Sequence, residues 1–280
     1  MKTPKVIEFP AQTIFRYRLK LPIIFSGLII VCTLISALAG IFNPYSYYIT
    51  SELIVAFYPN DIANLVLGVP LLMISVWLAG RKKLIGFLCW PGALFYMLYS
   101  YIPYLLAVPF SFLFFIYILI ITLSASTILY ILTGLDHKLV EQSLEEKVPA
   151  KMSGGVLMAF ATLIFLRQLA LILAALMKGS YVHTLELAVW IDDLTVACPA
   201  MIFAGILLVK KKSQGWVAGA GLLLSYGFLV LSAVIILLYQ SYNGRTGMDI
   251  SDIAVLLIMA GICFWQFVLF MKAALNKNEN

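Results

Sequence analysis

Apolar residues fill this chain in eight long blocks, and the polar residues gather in the short gaps between them. The blocks run roughly over 22–42, 62–80, 84–106, 109–134, 154–177, 188–209, 215–240 and 253–274. A hydrocarbon core ~30 Å thick is crossed by about 20 helical residues. An open strand edge in lipid would leave backbone groups unpaired, so every block is predicted to be a helix. The pattern predicts an all-α integral membrane protein with about eight transmembrane helices.

The gaps divide the chain further. Residues 1–21 form a basic arm, 22–134 the first four helices, 135–153 a polar linker, 154–275 the second four helices, and 276–280 a tail. A shift of 129 residues lays the first half on the second without a gap through most of the third helix. Pro70 then falls on Pro199, Arg81-Lys82-Lys83 on Lys210-Lys211-Lys212, Gly86 on Gly215 and Gly92 on Gly221. Four helices per repeat is an even number, so both copies enter the membrane the same way up. The expected relation is a pseudo-two-fold axis along the membrane normal, a parallel pair of four-helix repeats.

Composition agrees with the pattern. Of 280 residues, 63% are hydrophobic and 11% charged, and the mean hydropathy is +1.01. That leaves too little polar surface for a water-soluble fold. The net charge of +6 points to no nucleic acid, because the basic residues lie in clusters between apolar blocks. With the N-terminus inside, sixteen Lys and Arg fall on the cytosolic side, from Lys2, Lys5, Arg16, Arg18 and Lys20 onward, and only Lys178 and Arg245 outside. This asymmetry places both termini in the cytoplasm. The arm is too long for the charged region of a signal peptide. Ile7, Phe9, Ile14, Phe15 and Tyr17 give it an apolar side to lay on the membrane surface.

Candidate chemistry is sparse. Cys32, Cys89, Cys198 and Cys263 lie singly inside apolar blocks and read as packing residues, not disulfides or metal ligands. His183, Glu186, Asp192 and Asp193 are metal-ligand types at a spacing that fits no established site, and His137 falls in the linker. No P-loop, haem motif or dinucleotide fingerprint occurs, so no cofactor or metal is expected. Tyr45, Tyr47, Tyr48, Phe57, Tyr58, Tyr96, Tyr99, Tyr101 and Tyr104 gather near the outer ends of the first three helices, where an interfacial aromatic belt explains most of them and a ring-lined binding pocket is the alternative.

Arg167 is the ionisable residue deep inside a block, ~18 Å above the inner edge at ~1.5 Å per residue. An unpaired guanidinium there costs several kcal/mol, so a partner is expected. Asp193, with Asp192 beside it, is the first choice on the next helix. Gln168 adds a polar group ~100° around from Arg167. In the first half Asn64 matches Asp193, and Asp61 lies one turn further out. Pro70 and Pro199 follow near mid-membrane, where a proline frees a carbonyl and bends the helix. Arg167, Gln168, Asp192, Asp193, Asn64 and Asp61 are therefore the candidate binding residues.

The stretch from Phe57 through Asn60-Asp61 and Asn64-Leu65 to Gly68-Val69-Pro70 resembles one in uncharacterised prokaryotic multi-pass membrane proteins. The resemblance covers about a tenth of the chain and implies a prokaryotic plasma membrane, with no activity attached. Two functional classes stand level on the residues. One is a transporter for a small polar or anionic solute; the other is a non-catalytic subunit, anchor or sensor that works with a partner protein. A membrane-embedded enzyme acting on lipid or a redox carrier is a third, and it lacks a recognisable nucleophile or cofactor motif.

Overall fold

The computed structural model describes Phe15 and residues 18–145, 147–243 and 250–275. The arm residues Lys2, Lys5, Ile7, Phe9, Ile14, Arg16 and Tyr17, together with Arg245 and the tail, lie outside the described residues. Eight helices are long and apolar enough to span a bilayer: α1 (Lys20–Phe42), α2 (Ser51–Gly80), α3 (Leu84–Ala107), α4 (Phe112–Gly134), α5 (Ala150–Lys178), α6 (Thr184–Val209), α7 (Ser213–Tyr242) and α8 (Ile250–Leu275). The protein is an all-helical multi-pass membrane protein. Short helices occupy two of the gaps, Pro44–Tyr47 and His137–Leu144.

Helix α2 begins eleven residues before the apolar block that announced it. Thr50 caps it by accepting from the Leu53 backbone N–H at 3.3 Å, and Glu52 sits in its first turn. Such an acceptor satisfies one of the orphan donors of a helix start. The linker is more ordered than its polarity suggests. Val140 and Leu144 are buried against α7 and α8, and Glu145 pairs with Lys211 at 3.3 Å.

Helices α3 and α7 form the centre. In α3, 78% of the most apolar stretch is buried, against 17% in α5, which lies at the edge. The two central helices cross where Gly92 faces Gly221. A side chain on Gly92 would run into the Gly221 carbonyl, and one on Gly221 would stand 2.9 Å from the Gly92 nitrogen. Only paired glycines let the two backbones approach so closely, as small residues do at membrane helix crossings.

Several local features recur at the 129-residue spacing. A π-helical segment interrupts α2 at Asn64–Gly68 and another interrupts α6 at Asp193–Ala197. Each leads at once to a proline and twelve α-helical residues, Val69–Gly80 and Cys198–Val209. The turns after them place Lys82 and Lys211 at φ 60° and 52°. Elsewhere the halves part company. α1 packs along both α2 and α4, whereas α5 packs along α6 and meets α8 chiefly through the Ser153–Gln266 hydrogen bond of 2.9 Å.

Candidate functional site

A π-turn adds one residue to a helical turn and rotates the helix beyond it, so the helix becomes two differently aimed pieces. In α2 and α6 the piece before the break reaches a helix of the other half. Ser51–Ala63 packs on α7, and Thr184–Asp192 packs on α3. Each elbow brings carboxylate or amide side chains into the middle of the bundle, and the two elbows hold them differently.

At the α2 elbow Asp61 is fully buried. Tyr48 donates to its Oδ2 at 2.5 Å and Tyr104 to its Oδ1 at 2.8 Å. The rings of Phe57 and Tyr104 meet at 4.3 Å, and Tyr101 and Tyr117 close the cage around Tyr104. Gly40 on α1 forms the back wall, because a side chain there would collide with both Asp61 and the Tyr48 hydroxyl. Tyr48 precedes the span, and burial followed by the nearby Asp61 charge pushes its phenol above the usual range. It stays a neutral donor. Asn64, one turn on, is fully buried, and neither its Oδ1 nor its Nδ2 has a hydrogen-bond partner among the described residues.

At the α6 elbow Asp193 accepts from Tyr99 of α3 at 2.7 Å on Oδ1 and from the Gln168 amide of α5 on Oδ2. Asp192 is fully buried, and neither of its oxygens has a partner among the described residues. Outside this elbow a cleft of about 510 Å³ opens between α5 and α6. Arg167 and Gln168 line it together with Leu171, Ala175, Val189 and Trp190, and Lys178, Tyr181 and Glu186 line it further along the same two helices and the turn that joins them.

The candidate residues are thus divided between two places, Asp61 with Asn64 and Asp193 with Asp192, Gln168 and Arg167. The Arg167–Asp193 ion pair expected from depth is corrected. Among the described residues Arg167 makes no ion pair within 4.0 Å, and it is exposed on the outer face of α5. Neighbours on a helix point ~100° apart, so one of the two faces the bundle, and that one is Gln168, 1% exposed. The metal-ligand types also separate: His183 pairs with Glu52 at 3.2 Å across the halves, away from the aspartates. No family model, curated protein or solved structure matches the chain. Its function has to be argued from these side chains.

The reading of the tyrosines as an interfacial belt also changes. Tyr48, Tyr96, Tyr101 and Tyr104 are completely buried, and Tyr96 shares a 2.7 Å hydrogen bond with Ser232 of α7. They form the polar lining of the interior. Position near the helix ends gives no warning of this. The available signal is that Tyr101 and Tyr104 stand three apart, on one face of α3, the most buried span.

Proposed function

We propose that the chain is a transporter of the prokaryotic plasma membrane for a small anionic or polar solute, with both termini cytoplasmic and two parallel four-helix repeats around the Gly92–Gly221 crossing. The observation that carries the reading is the cleft between α5 and α6, which ends on Arg167 and Gln168. Gln168 passes the contact on to buried Asp193 and Tyr99, so a polar path leads from the outer surface into the bundle. A guanidinium that makes no ion pair among the described residues is ready to bind a carboxylate or phosphate, to which it donates paired hydrogen bonds. Broken helices with polar groups at the break are a recurring way to build a solute site at mid-membrane. Recurrence of the π-turn, the proline and the left-handed lysine at one spacing supports the repeat. Both elbows then lie around the axis, where substrate sites of duplicated transporters form.

The test is uptake of labelled small carboxylate and phosphate anions into proteoliposomes. Arg167→Gln lowers uptake at least tenfold with an unchanged melting temperature; uptake that survives the substitution overturns the proposal. The partner-subunit reading keeps one specific support, the exposed apolar flank of α5 with Leu163, Leu166, Leu173 and Leu176. Co-purification of a stoichiometric partner that covers this flank would favour it.

A further inference from the structure

Four buried oxygens at the α6 elbow lack any hydrogen-bond partner among the described residues: both Oδ atoms of Asp192, Oε1 of Gln168 and the phenol of Tyr226. They come from three helices, α6, α5 and α7. Their residues are 0%, 1% and 6% exposed. Unpartnered buried polar atoms are uncommon and each calls for a cause. All three residues are tied to Asp193: Asp192 by sequence, Gln168 through its amide and Tyr226 electrostatically. The Gln168 amide nitrogen is spent on Asp193 Oδ2, so Oε1, bonded to the same carbon, is held beside that carboxylate. The Tyr226 phenol lies within electrostatic reach of both Asp192 and Asp193. Tyr99 is committed to Asp193 Oδ1.

The charges near this point do not balance. Asp192 and Asp193 are adjacent buried carboxyl groups, and one proton shared between them still leaves one negative charge. Cys198, on the same helix, is a neutral thiol whose Sγ is turned to the Ala161 carbonyl at 3.4 Å. That negative charge lies on a buried pair, where an uncompensated ion is very costly. A single monovalent cation cancels it. A second proton would also cancel it, with the carboxyl and Tyr226 O–H groups donating to the remaining oxygens, and the dependence on pH distinguishes it from a cation. A hard cation uses all four oxygens, since carboxylate, amide carbonyl and hydroxyl oxygens are the donor set that alkali and alkaline-earth ions prefer.

We propose that Asp192, Asp193, Gln168 and Tyr226 form a binding site for one Na⁺ ion per chain. The site stands apart from the transport reading, because an ion that only braces the elbow would bind equally well. The experiment uses the full-length protein in detergent, with no solute present. Binding of radioactive Na⁺ is measured by proximity scintillation, and thermal unfolding is followed in NaCl, KCl or N-methylglucamine chloride at one ionic strength. The expected result is saturable binding of one ion per chain and a melting temperature that rises with Na⁺. Asp192→Asn abolishes both, and Tyr226→Phe and Gln168→Leu each weaken binding about tenfold. Identical melting in the three salts overturns the proposal, as does stability that follows pH alone, which would put a proton in the site. If Asp192→Asn does not fold, wild-type affinity in both Tyr226→Phe and Gln168→Leu overturns it.

Discussion

At the elbow of α2 the carboxylate of Asp61 receives two phenols and is walled in by Gly40, whereas at the elbow of α6 Asp193 receives one phenol and one amide, and Asp192 receives nothing. The backbone does the same thing in both places: a π-turn of five residues, then a proline, then twelve residues of α-helix. The difference lies in the neighbouring helix. α1 carries Gly40 where the 129-residue spacing puts Leu169 in α5. A glycine lets α1 close against the carboxylate; a leucine faces outward, and beside it the cleft stays open. One break in a helix is thus a sealed strut in one half and the inner end of a cavity in the other. Polar residues in a membrane helix do not by themselves declare a site. What separates the two elbows is which groups are left over: the Asn64 amide at the first, the Asp192 carboxyl group at the second.

The largest expected effect that tests this contrast is in the closed elbow. Gly40→Leu overpacks the wall of the cage and destabilises the protein by about 3 kcal/mol, while Leu169→Ala stays within about 0.5 kcal/mol. Chemical unfolding in mixed micelles measures both; equal effects would erase the distinction between wall and opening. Next, Tyr104→Phe removes a charge-assisted hydrogen bond to Asp61 and costs about 1.5–3 kcal/mol. Because Tyr48 and Tyr104 share one carboxylate, the double Phe variant departs from the sum of the single changes. Strict additivity would mean that the cage does not act as a unit. In the open elbow Arg167→Ala shifts stability by only about 0.5 kcal/mol and adds simply to Asp193→Ala, as expected for an exposed residue without a protein partner. A large coupling energy would restore the ion pair. The smallest effect belongs to Glu52→Gln at the outer rim. Its pairing with His183 is more than half exposed on both sides, so the loss is about 0.5 kcal/mol or less and vanishes in high salt.

The eight spans were legible because lipid demands long apolar runs and little else can produce them. The first eleven residues of α2 were not. Glu52, Pro59, Asn60 and Asp61 look like a loop until Tyr48 and Tyr104 are seen to supply the donors that Asp61 needs, 13 and 43 residues away. Asp61, Asn64, Asp192 and Asp193 stood out as polar groups at helix entrances, whereas the structure buries them at elbows about ten residues inside α2 and α6. Arg167 was misread because depth fixes how far along a helix a residue lies and says nothing of which way it faces. The facing was available in the sequence. Ser153, Gly154, Leu157, Ala161 and Gln168 recur at three, four and seven residues, a stripe that packs inward. Gln168 belongs to that stripe, and Arg167 does not.

The left-handed turns have a consequence of a different kind. At its outer end α5 stops on Gly179 at φ 58°, and glycine adopts that conformation without strain. The turns after α2 and α6 use the same region, yet Lys82 and Lys211 occupy it, at a cost of roughly 1–2 kcal/mol each relative to ordinary backbone. Replacing either by glycine would relax the finished molecule. If the positive-inside rule orients this chain, the lysines contribute their charge to the basic triplets at those turns. The two turns would then trade backbone strain in the finished molecule for charge at the point where each hairpin is assigned a side.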